Sequence, residues 1–136
     1  MRTAIRSFVL TATLAATPVW AGPNLIMVEE PGCVYCRQWE REIGHIYPKT
    51  DESVCAPLSQ IEMHSDQLGE IETRFPVRFT PTFLLVEDGK EIARLEGYPG
   101  EDFFWGLLGM MLDDHAQETS LPVTDPCSVG FVGQNS

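Results

Sequence analysis

The 136-residue sequence predicts an α/β fold, a mixed four-stranded sheet flanked by helices in the order β-α-β-α-β-β-α. Two observations lead to this prediction. A helical segment separates the first two strand-like segments, and such a crossover is needed to join parallel strands. A short turn joins the last two strand-like segments, which is typical of an antiparallel hairpin.

The first strand and the first helix flank a pair of cysteines. Residues 24–29 contain four consecutive apolar side chains, which predicts a strand buried on both faces. Pro31-Gly32 ends this strand. From Val34 onward the apolar residues recur with the spacing of an α-helix, at positions 35, 39, 43 and 46 or 47. This helix is predicted to end before Pro48. The polar stretch 49–55 is predicted to be a loop.

A second strand and a second helix follow. Residues 58–63 alternate between apolar and polar side chains, which indicates a strand. Ser65 or Asp66 can cap a helix that ends at Pro76 and has apolar residues at 68, 71 and 75.

The hairpin and the last helix complete the domain. Strand-forming residues at 79–86 are followed by the turn 87–90 and a return strand at 91–97. Residues 102–113 predict an unusually apolar helix, and residues 117–136 show no periodicity.

The first 21 residues have the features of a secretory signal peptide. Arg2 and Arg6 precede an apolar run that starts at Phe8, and the segment ends with a small-x-small pattern at Ala21. The run is short for a membrane anchor and contains threonines and a proline. We therefore expect cleavage after Ala21 and export, most simply into a bacterial periplasm. The remaining chain is divided into a domain at 22–115 and a tail at 116–136.

The exported chain is strongly acidic. Cleavage would remove two arginines and no acid, which changes the formal charge from −11 to −13. Such a charge disfavours nucleic acid and anionic lipid as partners. All four cysteines would enter an oxidising compartment, where unprotected thiols form disulfides.

Cys33-Val-Tyr-Cys36 lies where the first helix begins. Free backbone N–H groups and a partial positive charge at a helix start favour thiolate over thiol. Cys33 is therefore the candidate nucleophile. Cys36, one turn further and directed inward against Trp39, is the candidate resolving thiol.

Three other interpretations of the cysteine pair compete with this one. A c-type haem site needs a histidine after the second cysteine, where this chain has Arg37. A zinc site needs two further ligands, and although Cys55, His45 and His64 are available, no second C-x-x-C exists. A purely structural disulfide would constrain the unfolded chain little across so short a gap. Thus no metal site is predicted.

Thr80-Pro81-Thr82 follows the C-x-x-C by about 45 residues and precedes a strand. With the order of elements over residues 24–114, this pairing resembles thioredoxin-fold oxidoreductases. The resemblance implies a thioredoxin-like fold and a cis peptide bond at Pro81. It also implies that Pro81 and the backbone of Thr80 pair with a bound substrate strand.

The chain departs from thioredoxin itself at two positions. Gly32 and Met27 stand where thioredoxin has a tryptophan and a buried aspartate, so a proton relay through a buried carboxylate is in doubt, although Glu29 or Glu30 could substitute. Tyr35 and Thr80 are more similar to glutaredoxins and periplasmic disulfide isomerases. Since the 136 residues leave no room for the dimerisation domain of those isomerases, we do not expect a broad isomerase function.

Three parts of the chain resemble the periplasmic thioredoxin-like proteins of bacterial sulfur-oxidation (Sox) systems. They are the predicted signal peptide, residues 29–40 around the C-x-x-C, and residues 78–112. This resemblance implies a reductase that keeps the cysteine of a sulfur-carrier protein active and draws electrons from a membrane thiol donor. We expect a monomer with no cofactor beyond its redox-active disulfide. The alternatives are a reductase for cytochrome c maturation and a module that binds copper or zinc through the C-x-x-C.

Cys55 and Cys127 lie outside any motif. An even number of cysteines in an exported protein favours a structural bridge between them, which would tether the tail to the domain.

Overall fold

The computed structural model describes residues 22–122, 125–128 and 130, so the predicted signal peptide lies outside the described residues. The described strands are β1 (Asn24–Glu29), β2 (Leu58–Glu62), β3 (Thr82–Glu87) and β4 (Lys90–Glu96). The α-helices are α1 (Val34–Trp39), α2 (Asp51–Cys55), α3 (Asp66–Gly69) and α4 (Glu101–Glu118). Among these residues, none of the helices is long and apolar enough to cross a lipid bilayer.

The four strands form one mixed sheet in the order β2-β1-β3-β4. β1 is parallel to β2 and antiparallel to β3, and β3 and β4 form an antiparallel hairpin. The predicted α/β class and strand directions are therefore confirmed. Val28 near the end of β1 lies opposite Thr82 at the start of β3. The loop after β1 and the loop before β3 consequently leave the sheet at the same edge.

An aromatic core covers one face of the sheet. Trp39 lies with its ring centroid 5.4 Å from that of Phe83 and 5.8 Å from that of Phe104. Cys36 belongs to the same buried cluster. The other face has a smaller aliphatic cluster built from Val28, Ile61, Leu84 and Val86. The cysteine pair thus adjoins the larger of the two buried clusters.

The first helix is not one continuous α-helix as predicted. α1 ends at Trp39, a π-helical turn spans Glu40–Gly44, and a 3-10 turn follows at Tyr47–Lys49. In an α-helix, the side chains of residues i and i+4 differ in direction by about 40° around the helix axis. Apolar residues that recur every four positions would therefore turn progressively away from the core. The wider π turn compensates, and Trp39, Ile43 and Tyr47 are all fully buried. Tyr35, which the pattern assigned to the core, is 59% exposed.

The prediction of a loop at 49–55 was wrong, because α2 occupies most of this stretch. The Thr50 hydroxyl oxygen accepts a hydrogen bond from the Ser53 N–H at 3.3 Å and so caps the helix. The hydroxyl of buried Tyr47 donates to the carbonyl of Ala56 at 2.7 Å and holds the end of α2 against the core.

The second helix is a single turn, and its predicted extension to residue 75 was wrong. α3 ends at Gly69, and Phe75 is 70% exposed. Glu72 forms an isolated parallel bridge with Lys90, so the chain is already extended there. Hydrogen bonds to β4 replace the helical ones. β3 correspondingly begins at Thr82 rather than at 79.

A buried ion pair fixes this extended segment to β4. Both carboxylate oxygens of Glu91 accept hydrogen bonds at 2.6 Å from the Arg94 guanidinium. Glu91 also accepts from the backbone N–H of Arg74 at 2.9 Å, while Arg94 donates to the carbonyl of Phe75 at 2.7 Å. Burial alone would raise the pKa of Glu91, but these hydrogen bonds and the arginine charges outweigh it and hold that pKa below its usual value.

Candidate active site

The chain between β1 and α1 is a tight turn that places Cys33 at the start of the helix. Gly32 has a φ of +85°, a region open to glycine and costly for other residues. The N–H of Cys33 donates to the Glu30 carbonyl at 3.2 Å, and the Cys33 carbonyl accepts from Arg37 at 3.3 Å. Cys33 is therefore the N-cap of α1, as its position in the sequence predicted.

The two sulfurs have different environments. Cys33 and Cys36 are joined in a disulfide with their Cα atoms 5.3 Å apart. The sulfur of Cys33 accepts a hydrogen bond from the N–H of Cys36 at 3.1 Å, and this bond would stabilise a thiolate there once the disulfide is reduced. Cys36 is only 5% exposed, whereas Cys33 is partly exposed. One sulfur can be reached by a partner and the other is shielded.

The loop before β3 contains the second predicted feature. The Thr80–Pro81 peptide bond is cis. The Pro81 carbonyl accepts from the N–H of Gly97 at 2.7 Å, and the Thr82 hydroxyl donates to the Phe79 carbonyl at 2.8 Å. Pro81 is buried and Thr80 is partly exposed.

A side-chain hydrogen bond joins the two loops. The hydroxyl of Thr80 donates to the carboxylate of Glu30 at 2.9 Å. The structure thus places the loop of Thr80 and Pro81 against the loop that leads to Cys33. From the sequence, Glu30 was considered only as a substitute for a missing buried acid. Its contact with Thr80 was not predicted, because no local pattern links residues 50 positions apart.

A cavity of about 290 Å³ lies beside the cysteines; its lining residues are Glu29, Glu30, Gly32, Cys33, Cys36, Arg37, Glu40 and Gln60. Gln60 donates to the Glu40 carboxylate at 3.0 Å and to the Met27 sulfur at 3.7 Å. Glu29 and Glu30 are partly exposed, so neither is the buried carboxylate that such a proton relay would need. The cavity has three carboxylates and one guanidinium, which gives it a net negative charge.

Exposed apolar side chains surround the site. Val34 and Tyr35, between the cysteines, are 62% and 59% exposed, and Phe79, next to Thr80, is 62% exposed. Isolated exposed apolar residues are ordinary, but here two lie between the cysteines and the third adjoins Thr80, which is hydrogen-bonded to the cysteine loop. This arrangement suits contact with an extended, partly apolar partner segment.

The remaining cysteines are far from this edge. Cys55 and Cys127 form a second disulfide, with Cα atoms 5.4 Å apart. Cys55 precedes β2, and since β2 is parallel to β1, it lies at the opposite edge of the sheet from Cys33. Within the described residues, no group of three or more histidine, cysteine or acidic side chains is arranged to hold a metal. Both His45 and His64 are exposed.

Comparison with known proteins agrees with this geometry. Residues 20–111 match the thioredoxin-like domain family. The solved structure of the periplasmic thioredoxin SoxS from Paracoccus pantotrophus, in its reduced form, is 47% identical, with a TM-score of 0.63. That match covers 65% of this chain and 94% of SoxS. A thioredoxin-fold protein from Helicobacter pylori is 14% identical, with a TM-score of 0.54, over 79% of this chain and 78% of that one, and it shows the fold alone.

The matched region includes the C-x-x-C, and the fold places its two sulfurs for disulfide exchange. The chain therefore belongs to the thioredoxin-like family, as a thiol–disulfide oxidoreductase related to SoxS.

Proposed function

We propose that this oxidoreductase works in the periplasm as a reductase of one protein partner, acting on a disulfide or a modified cysteine. The observation that supports this most is the asymmetry of the pair. Cys33 is partly exposed and accepts a hydrogen bond from a backbone N–H, whereas Cys36 is buried behind it. This is the arrangement required of an attacking sulfur and a resolving sulfur.

In the proposed reaction, the Cys33 thiolate attacks one sulfur of the partner disulfide. A bond forms between Cys33 and that sulfur, and the other partner sulfur leaves as a thiolate that takes up a proton. Cys36 then loses its proton and attacks the Cys33 sulfur. The Cys33–Cys36 disulfide forms and the first partner sulfur leaves as a thiolate, so two electrons have passed to the partner. No bound cofactor takes part in these steps.

Thr80 and Pro81 are the proposed substrate-binding residues. They precede β3 at the edge where the C-x-x-C follows β1, and the Thr80–Glu30 hydrogen bond keeps the two loops together. A partner segment lying along Thr80 could place its sulfur at Cys33 while its apolar side chains contact Tyr35 and Phe79.

The similarity to a periplasmic SoxS supports the location, together with the predicted signal peptide. It also supports a partner in the thiosulfate-oxidising Sox system, namely the cysteine of its sulfur-carrier protein. Each turnover leaves the pair oxidised, so a membrane thiol donor must reduce it again. We propose that the protein acts as a monomer.

A trapping experiment tests this function. Cys36→Ser removes the resolving sulfur, so a mixed disulfide between Cys33 and the partner should accumulate in the periplasm and release the partner on reduction. Cys33→Ser is the matched control and should trap nothing. Mass spectrometry of the trapped species identifies the partner. Trapping of cytochrome c maturation proteins alone would contradict the Sox assignment, and equal trapping by both variants would contradict the role of Cys33.

A further inference from the structure

We propose that Glu30 is a positioning residue that holds the two loops of the active site together and whose charge makes the cysteine pair a stronger reductant. This inference rests on the proposed reductase function. Glu30 has no part in bond making; it acts through Cys33 and Thr80.

The first support is the double attachment of Glu30. Its backbone carbonyl accepts the N–H of Cys33 at 3.2 Å, and its carboxylate accepts the hydroxyl of Thr80 at 2.9 Å. One residue therefore contacts the nucleophile loop through its main chain and the substrate loop through its side chain. A shift of Thr80 relative to Cys33 would break one of these bonds.

The second support is the charge around the sulfur. Glu30 lines the cavity that Cys33 and Cys36 share, and the other charged groups there are Glu29, Arg37 and Glu40. Carboxylates predominate, while Gln60, from β2, brings no charge. Nearby negative charge disfavours a second negative charge, so the carboxylate opposes formation of the Cys33 thiolate. The N–H of Cys36 acts in the other direction.

The consequence for electron flow follows from the charges of the two redox states. The reduced pair carries the thiolate, whereas the disulfide is neutral. A carboxylate beside the pair therefore destabilises the reduced state relative to the disulfide, which lowers the reduction potential and favours donation of electrons.

Two substitutions separate the charge from the hydrogen bond. Glu30→Gln removes the charge but keeps an oxygen that can accept from Thr80. Thr80→Val removes the hydroxyl, keeps a similar shape and leaves the Glu30 charge in place. Glu118→Gln, which removes an exposed acid at the end of α4, is the control for loss of one charge at a distance.

The readouts are the equilibrium constant against glutathione and the pKa of Cys33 from the pH dependence of alkylation. We expect Glu30→Gln to lower that pKa and to stabilise the reduced pair at least about threefold, which is about 14 mV. Glu118→Gln and Thr80→Val should have smaller effects on both the Cys33 pKa and the equilibrium constant against glutathione. Thr80→Val should instead slow reduction of a protein disulfide severalfold.

An unchanged or raised Cys33 pKa in Glu30→Gln would overturn the charge effect. Equal rates of wild type and Thr80→Val on a protein disulfide would overturn the positioning role. The equilibrium with glutathione does not depend on the natural partner, so it can be measured even if the trapping experiment fails. Failure of the proposed function and failure of the Glu30 inference are therefore distinguishable.

Discussion

Replacing both cysteines of the second disulfide should cost a large part of the stability of the protein. Cys55 and Cys127 are 72 residues apart in sequence, so their bond closes a long loop that contains β2, α3, β3, β4 and α4. The loop-closure relation for a disulfide gives about 4 kcal/mol for such a loop at 25 °C. The same relation gives only about 2 kcal/mol for the short loop between Cys33 and Cys36.

The assay is urea denaturation without reductant, at neutral pH, of Cys55→Ala/Cys127→Ala and of the matched control Cys33→Ala/Cys36→Ala. The first variant should lose about twice as much free energy of unfolding as the second. Its m-value should also rise, because an unfolded chain without the large loop exposes more surface. A loss below about 1 kcal/mol with an unchanged m-value would refute the loop-closure reasoning.

Two further predictions concern charged side chains. Glu91→Gln should lower the free energy of unfolding by about 3 kcal/mol at pH 7, because the largely buried Arg94 guanidinium then keeps only the more exposed Glu96 carboxylate as a counter-charge. Since the pKa of Glu91 is held below its usual value, its contribution is present above about pH 5 and is lost as the pH falls through the lowered pKa. The difference in free energy of unfolding between wild type and Glu91→Gln, measured by urea denaturation, should therefore shrink below about pH 4. A difference that does not change with pH would contradict the ion pair. Separately, the Tyr98 hydroxyl donates to the Glu42 carboxylate at 2.6 Å and lowers its pKa, with a smaller effect from Gln38. Tyr98→Phe should raise the pKa of Glu42 in an NMR titration, and an unchanged value would show that this bond does not form in solution.

The sheet could be predicted from sequence because its signals are local. The apolar run of β1 and the turn between β3 and β4 each lie within a few residues, and both were located correctly. α2 was missed because the polar composition of residues 49–55 indicated a loop, and the capping role of Thr50 was not recognised. The early end of α3 had no local signal, since the bonds that compete with the helix come from Glu91 and Arg94 on a distant strand.

The same distinction applies to the site. The C-x-x-C and the start of its helix are adjacent in sequence, so the position of Cys33 as a helix cap was predictable. The contact between Glu30 and Thr80 depends on two strands that become neighbours only in the folded sheet. The cavity beside Cys36 likewise required the parallel register that places Gln60 next to Met27.

The separation of the two disulfides has a consequence for the lifetime of the enzyme. A nucleophilic sulfur could in principle scramble the bonds of its own chain. Here Cys33 lies at one edge of the sheet, whereas Cys55 is 97% shielded from solvent at the other. Distance and the burial of Cys55 therefore both oppose attack by Cys33 on the bond that fastens the C-terminal segment, although Cys127 itself is partly exposed.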